Sequence, residues 1–222
     1  MLSPTLKPPT TQSEEAYRQI RADIIEGQFE AGQRLRIEAL RKQYGIGPTP
    51  LREALNRLSA DGFVLAEGQR GFTITPLTLE DLEDVTQMRV LLENRALERS
   101  IECGDDDWEA QLVAAFHRLS LIETSPEGRD LDEWEKRNAE FHHALIGACH
   151  SRWLKRFANI LYDQHRRYRH LARAHLGNRD LHAEHQAIYD AALARDVKKA
   201  CEANEAHIMG TVETLRELLP DG

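Results

Sequence analysis

Between residues 47 and 75 the chain reads GPTPLREALNRLSADGFVLAEGQRGFTIT, a stretch that no single regular element can absorb. Pro48 and Pro50 suit the first turn of a helix, where the N–H groups have no intrahelical acceptor, and they bar a helix from running in upstream. From there to Ala60 the apolar residues Leu51, Ala54, Leu55 and Leu58 return to one side of a helix. After Gly62 the period changes: FVLAE and GFTIT alternate as strands do and are joined by a glycine-flanked turn. A helix delivered straight into a hairpin is the local constraint that the rest of the chain has to accommodate.

Two helical segments precede it. SEEAYRQIRADIIEG carries Tyr17, Ile20, Ile24 and Ile25 at helical spacing, with Ser13 as cap and Gly27 as stop; Ile37 to Tyr44 is a second helix, stopped at Gly45. Three helices and a hairpin predict a winged helix-turn-helix domain over residues 13–76. Residues 1–12, with Pro4, Pro8 and Pro9 among Ser and Thr, are expected to form a disordered leader. Beyond Pro76 only helical periodicity is found. TLEDLEDV opens a long helix with Thr78 as cap and Asp81 three residues on, close to a capping box. Helices are expected at about 78–102, 105–123, 131–149, 151–175, 180–195 and 197–218. The fold class is therefore mainly α: the N-terminal winged helix-turn-helix domain, then an all-helical bundle domain over residues 77–222, long enough to hold a site between its helices.

The net charge of -8 is unevenly spread. Residues 1–76 carry ten Lys and Arg against nine Asp and Glu, net +1, whereas residues 77–222 carry nineteen against twenty-eight, net -9, together with all ten histidines. The first domain tolerates a polyanion; the second is rich in potential ligands. No apolar run approaches the ~18 residues a membrane span needs, and the N-terminus lacks a signal peptide's apolar core, so a cytoplasmic protein is expected. Cys103, Cys149 and Cys201 are few and far apart, which points to buried free thiols rather than disulfides or a metal knuckle.

On the 47–62 helix, Thr49, Arg52 and Asn56 gather with Glu53 opposite the apolar arc. A hydroxyl, a guanidinium and an amide can hydrogen-bond phosphates or base edges in a major groove, although such a face can also be merely solvated. The helix is third of three, follows the turn LRKQYGIG, and precedes a hairpin whose tip holds Arg70 and Gly71, a wing able to touch a backbone or minor groove. In LRKQYGIGPTPLREALNRLSADGF and the wing RGFTIT, residues 13–76 resemble the DNA-binding domain of the GntR family of bacterial transcription regulators, and the helical remainder resembles that family's FadR-type effector domain. Where the family usually has Ser-Arg before its Thr-Pro pair, this chain has Gly47 and Pro48. The resemblance implies a double-stranded DNA operator contacted through Arg52 as main anchor, with Thr49, Asn56, Arg70, Gly71 and Arg36.

In NAEFHHAL, Asn138 and His142 stand four apart and share a helix face with Leu145, Ile146 and Cys149; His185 and His207 lie on the last two helices among inward-facing alanines and aliphatics. These residues are either separate core histidines or three imidazoles converging on a divalent transition metal, and spacing alone leaves both open. The family resemblance implies the metal, because FadR-type domains hold one with an Asp-x-x-x-His pair and two later histidines; Asn138 replaces the Asp here. Zinc or nickel is the expected ion, weakened by the loss of one negative ligand. Arg89 matches a family position that faces the ligand, though a surface ion pair with Glu93 is an equal alternative. The basic stretch DQHRRYRHLARAH, 163–175, reads as a solvated face with some arginines turned inward. Trp108, Trp134 and Trp153 are assigned to packing or an interface.

The expected function is a transcription repressor, not an enzyme: a homodimer reading half-sites about one helical turn apart and controlled by a small carboxylate effector. Two other classes fit parts of the chain. A metal-dependent hydrolase would use the three histidines with Glu184 or Glu140 as base; a purely architectural DNA-binding protein would have an inert bundle.

Overall fold

A computed structural model of the chain describes residues 11–68, 71–125, 130–172, 179–216 and Leu219. The chain separates into two compact units, Met1–Leu77 and Thr78–Gly222. The leader expected over residues 1–12 lies outside the described residues except for Thr11 and Gln12. There the first helix starts earlier than Ser13, because Thr11 Oγ1 accepts the Glu14 N–H at 3.2 Å and caps α1, Gln12–Ile25.

The first unit continues with β1 (Arg34–Leu35), α2 (Ile37–Tyr44), α3 (Pro48–Ala60), β2 (Val64–Ala66) and β3 (Phe72–Ile74). Its core joins Ala16, Ile20 and Ile24 of α1, Leu40 of α2, the predicted arc Leu51, Ala54, Leu55 and Leu58 of α3, and Phe63, Val64 and Ile74 from the hairpin. Burial of this continuous apolar set orders three short helices that would be marginal alone. Gly45 ends α2 in the left-handed region at φ 69, which a glycine adopts without strain. The sheet departs from the expected hairpin: β1 pairs antiparallel with β3, Arg34 opposite Thr73 and Leu35 opposite Phe72, so the strand order is β1-β3-β2. Two residues are too few for an alternating pattern to reveal a strand.

The second unit is built of α4 (Leu79–Cys103), α5 (Asp106–Glu123), α6 (Leu131–Leu145), α7 (Arg152–Ala172), α8 (Leu181–Leu193) and α9 (Val197–Leu215). Side-chain oxygens cap all six of their starts, from Thr78, Asp105, Asp130, Ser151, Asp180 and Asp196. α4 packs against α7 and α9, α5 against α6 and α8, and α8 against α9. α6 ends at Leu145 rather than 149: Gly147 N–H turns back to Ala144 O at 3.0 Å, and the same carbonyl accepts Trp108 Nε1–H at 2.9 Å. The tail of the helix expected over 151–175 lies outside the described residues. All three cysteines are free, but only Cys149 is buried. Trp108 and Trp134 are core residues, whereas Trp153 is exposed.

Candidate functional site

On α3, Thr49, Arg52, Glu53 and Asn56 are all exposed, as is Arg36, the residue before α2. Two neighbouring basic residues are committed elsewhere. Arg57 lies 2.7 Å from Glu14 and over the Tyr17 ring, and Arg41 pairs with Glu38. Arg52 and Arg36 make no ion pair among the described residues. The entrance to α3 is narrower in donors than a helix start usually is. Pro48 and Pro50 have no N–H, and Leu51 N–H already reaches Gly47 O at 3.2 Å, so Thr49 alone keeps a first-turn N–H that a phosphate could take. Gly71 holds φ 97 at the base of the hairpin turn, a conformation open to glycine. Arg70 lies outside the described residues.

The second site is polar and lies inside the bundle. His142 on α6, His185 on α8 and His207 on α9 are buried, and their ligating atoms all lie within 4.8 Å of one another. Two rings are oriented by carboxylates. His185 Nδ1 is 2.9 Å from Glu123 Oε1, and His207 Nδ1 is 2.7 Å from Glu184 Oε2, itself held by Arg179. A carboxylate opposite Nδ1 fixes the proton there and leaves the Nε2 lone pair for a ligand. Nε2 of His142 and of His185 are buried and have no partner among the described residues, and the same holds for Asn138 Oδ1, one turn before His142. Asn138 Nδ2 donates instead to the Tyr162 hydroxyl at 3.1 Å. Burial holds His142 well below the ordinary imidazole range, with His207 and Arg89 adding to it; burial and then His185 do the same to His207. The rings of His142 and His207 are thus neutral, as metal ligands must be. Three converging imidazoles, two of them with oriented second nitrogens, beside one carbonyl oxygen unpartnered among the described residues, fit a divalent transition ion with positions left for another ligand.

Arg89 is not on the surface. It is 1% exposed, forms a fork with Glu93 (Nε to Oε1 2.6 Å, Nη2 to Oε2 3.3 Å) and lies 4.7 Å over the Tyr162 ring. In the stretch 163–175, Arg167 and Arg169 turn inward as expected of some arginines, but Asp163, Gln164, His165 and Tyr168 are buried with them, so its described part is not a solvated face. Arg169 grips Glu135 at 3.3 and 3.1 Å and gives a further bond to the Tyr162 hydroxyl at 3.3 Å. Tyr162, His165 and Arg169 fall at i, i+3 and i+7, one face of α7, and this spacing is the signal that could have drawn them into the site. Glu135, one turn before Asn138 on α6, completes it. The two carboxylates considered as bases are engaged: Glu184 with His207 and Arg179, and Glu140 with Arg137 and Arg118, whose charges hold it below the usual carboxylate range.

Residues 12–74 match the profile of bacterial regulatory proteins of the gntR family, and residues 84–210 match the FCD domain. The HTH-type transcriptional regulator BphR of Paraburkholderia xenovorans is 42% identical over 209 residues, 92% of this chain and 85% of that protein. The HTH-type transcriptional repressor GlaR of Escherichia coli is 33% identical over 216 residues, 95% of this chain and 98% of that one. The solved structure of E. coli McbR/YncC, 19% identical, shares the fold with a TM-score of 0.79 over 94% of this chain and 99% of its own.

Proposed function

We propose that this chain, which belongs to the gntR family of bacterial regulatory proteins and carries that family's FCD domain, represses transcription in response to a small carboxylate that binds beside a metal ion. It is a DNA-binding transcription regulator, and its family consists of regulators rather than enzymes. In this reading residues 13–76 bind a double-stranded operator and residues 77–222 dimerise and bind the effector, in the cytoplasm. No helix among the described residues is long and apolar enough to cross a membrane. Repression is supported by the likeness to GlaR, itself a repressor.

The observation that carries the sensor half of the proposal is the convergence of His142, His185 and His207, with Nε2 of His142 and of His185 buried and unpartnered among the described residues. With Asn138 they would hold zinc or nickel, which supplies a Lewis-acid anchor for a carboxylate. Arg89, buried close by and gripped by Glu93, is the candidate for the acid's remaining charge. On the DNA side Arg52 is the proposed anchor, with Thr49, Asn56, Arg36, Arg70 and Gly71 around it. An effector acts only through a difference in affinity between the operator-bound and the released arrangement. Within the helical unit a route exists for that difference. Tyr168, one turn beyond His165 on α7, donates to Asp81 in the first turn of α4, the helix that begins at the boundary between the units.

The test is selection of operator sequences from random duplex DNA, followed by gel shifts with nickel and a panel of small acids. The proposal expects a two-fold symmetric motif, with half-sites about one helical turn apart, and release by at least one acid only when nickel is present. Failure to enrich any sequence would remove the operator assignment; release that ignores nickel would remove the metal from the mechanism.

A further inference from the structure

His142, His165, His185 and His207 stand in the polar interior of the bundle, and hydrogen bonds sort the last three into two kinds. His185 and His207 turn Nδ1 to carboxylates, so that Nδ1 carries the proton and Nε2 a lone pair. His165, on α7, is arranged the other way. Its Nδ1 lies 3.0 Å from Arg89 Nη1 and 3.4 Å from Arg169 Nη1. Guanidinium nitrogens only donate, so this Nδ1 accepts, and a neutral ring that accepts at Nδ1 carries its proton on Nε2. The ring is neutral because burial, and after it the charges of Arg89 and Arg169, hold its basicity well below the ordinary imidazole range. His165 is 0% exposed and its Nε2 has no partner among the described residues. It is a buried donor facing no protein acceptor, where polar groups are nearly always satisfied.

The surroundings name the acceptor's chemistry. Arg89 covers the Tyr162 ring, and the Tyr162 hydroxyl joins Arg169 to Asn138, one turn from His142. The donor therefore belongs to the same polar interior as the three metal-facing imidazoles. Two guanidiniums bonded to Nδ1 draw electron density from the ring, which makes Nε2–H a stronger donor without giving the ring a net charge. Such a group favours an anionic or strongly polar oxygen.

We propose that His165 binds the effector directly, its Nε2–H donating to an oxygen of a small acid while His142, His185 and His207 turn their lone pairs to the ion. This rests on the acid-sensor reading above and adds a residue that selects the acid by where its second oxygen lies. An acid with an acceptor beyond its metal-bound carboxylate, such as a dicarboxylate or hydroxy acid, satisfies both ends, and a simple monocarboxylate satisfies only one.

Calorimetric titration of the nickel-loaded full chain with succinate, malate and acetate tests it. In His165→Asn the side-chain oxygen can still accept from the arginines, but no donor reaches the Nε2 position; in His165→Gln an amide N–H comes near it. Nickel affinity is expected to stay unchanged in both. Affinity for the better of the two bifunctional acids should exceed that for acetate, fall about tenfold or more in His165→Asn, as for loss of one good hydrogen bond to a charged partner, and return in part in His165→Gln. If wild type takes up nickel and none of the acids, the acid-sensor reading fails and this inference with it. If wild type binds an acid and His165→Asn binds it equally, the reading stands and the role of His165 is overturned. Should His165→Asn not fold, NMR of 15N-histidine-labelled wild type decides. A Nε2–H tautomer whose proton moves downfield with the acid is expected; a Nδ1–H tautomer, or no response to an acid that binds, overturns the inference.

Discussion

Glu123 Oε1 lies 2.9 Å from His185 Nδ1, and neither side chain is exposed to solvent. The carboxylate also accepts Trp134 Nε1–H at 2.8 Å, so one glutamate at the end of α5 fixes both a core tryptophan and the proton of one ring of the three-histidine cluster. Glu123→Gln retains the volume and loses the charge. Nickel affinity, read by competition with a chelator, should fall about 10- to 100-fold, as for other partners of metal-bound histidines. An unchanged affinity would mean that His185 is not a ligand.

Asn138 stands one turn before His142 with its carbonyl oxygen unpartnered. In Asn138→Asp a negative oxygen replaces a neutral one, and nickel should bind more tightly, by tenfold or more on the order-of-magnitude scale of one charged contact. The same change places an anion beside the bound effector, so affinity for acids should fall as that for the ion rises. Calorimetry with nickel and then succinate reads both; an increase in both would place Asn138 away from the effector.

Arg52 is exposed and makes no ion pair among the described residues, whereas Arg57, one turn and a residue on, is held by Glu14 and Tyr17. Arg52→Ala should weaken operator binding by about 1–3 kcal/mol in a gel shift at fixed salt, and lower the salt slope by about 1 if the contact is to phosphate. Arg57→Ala should reduce thermal stability by well under 1–2 kcal/mol, given its half-exposed pair. Operator affinity unaffected by Arg52→Ala would exclude it as the anchor.

His142, His165 and His207 are held by burial below their unfolded value of about 6.5. The unfolded chain therefore binds protons that the folded chain refuses. Stability of the metal-free protein should be level above pH ~6.5 and fall below it, by up to about 1.4 kcal/mol per pH unit for each ring, until the folded pKa is reached. Urea unfolding at pH 7.5, 6.5 and 5.5 checks the sign; stability that rises on acidification would require charged imidazoles in the core.

Arg89 and Glu93 form a pair almost wholly out of solvent. Arg89→Met or Glu93→Gln alone should destabilise the helical unit by about 3–5 kcal/mol, because each leaves a buried ion unpaired, while the double variant should lose far less than the sum. Additive losses in urea unfolding would show that the two residues act independently.

The helix starts were legible because aspartate or threonine precedes an apolar-periodic run at each of five boundaries in the second unit, a purely local signal. So were Leu51, Ala54, Leu55 and Leu58, whose spacing alone sets the buried face of α3. The β1 strand was not, since Arg34 and Leu35 become a strand only by meeting Thr73 and Phe72 almost forty residues later. The burial of α7 was missed for a similar reason. That some arginines turn inward was expected, but which ones could not be told until Glu135, thirty-four positions before Arg169, is known to face it. His142, His185 and His207 could be picked out by spacing and resemblance, but their tautomers depend on Glu123 and Glu184, and no periodicity pairs those residues with the rings.

Two buried arginine–glutamate pairs among the described residues, Arg89 with Glu93 and Arg169 with Glu135, also bear on how such a bundle can change over generations. Arg89 cannot be lost in one step without stranding the charge of Glu93, and Glu135 is held between Arg169 and Arg166, so each glutamate is tied to its cations as an inherited group. Neutral positions around them, such as Asn138, Tyr162 and His165, carry no such tie. If the bundle senses a small acid as proposed, new tastes in small molecules would therefore arise first at these uncharged positions, with the ionic scaffold passed on intact.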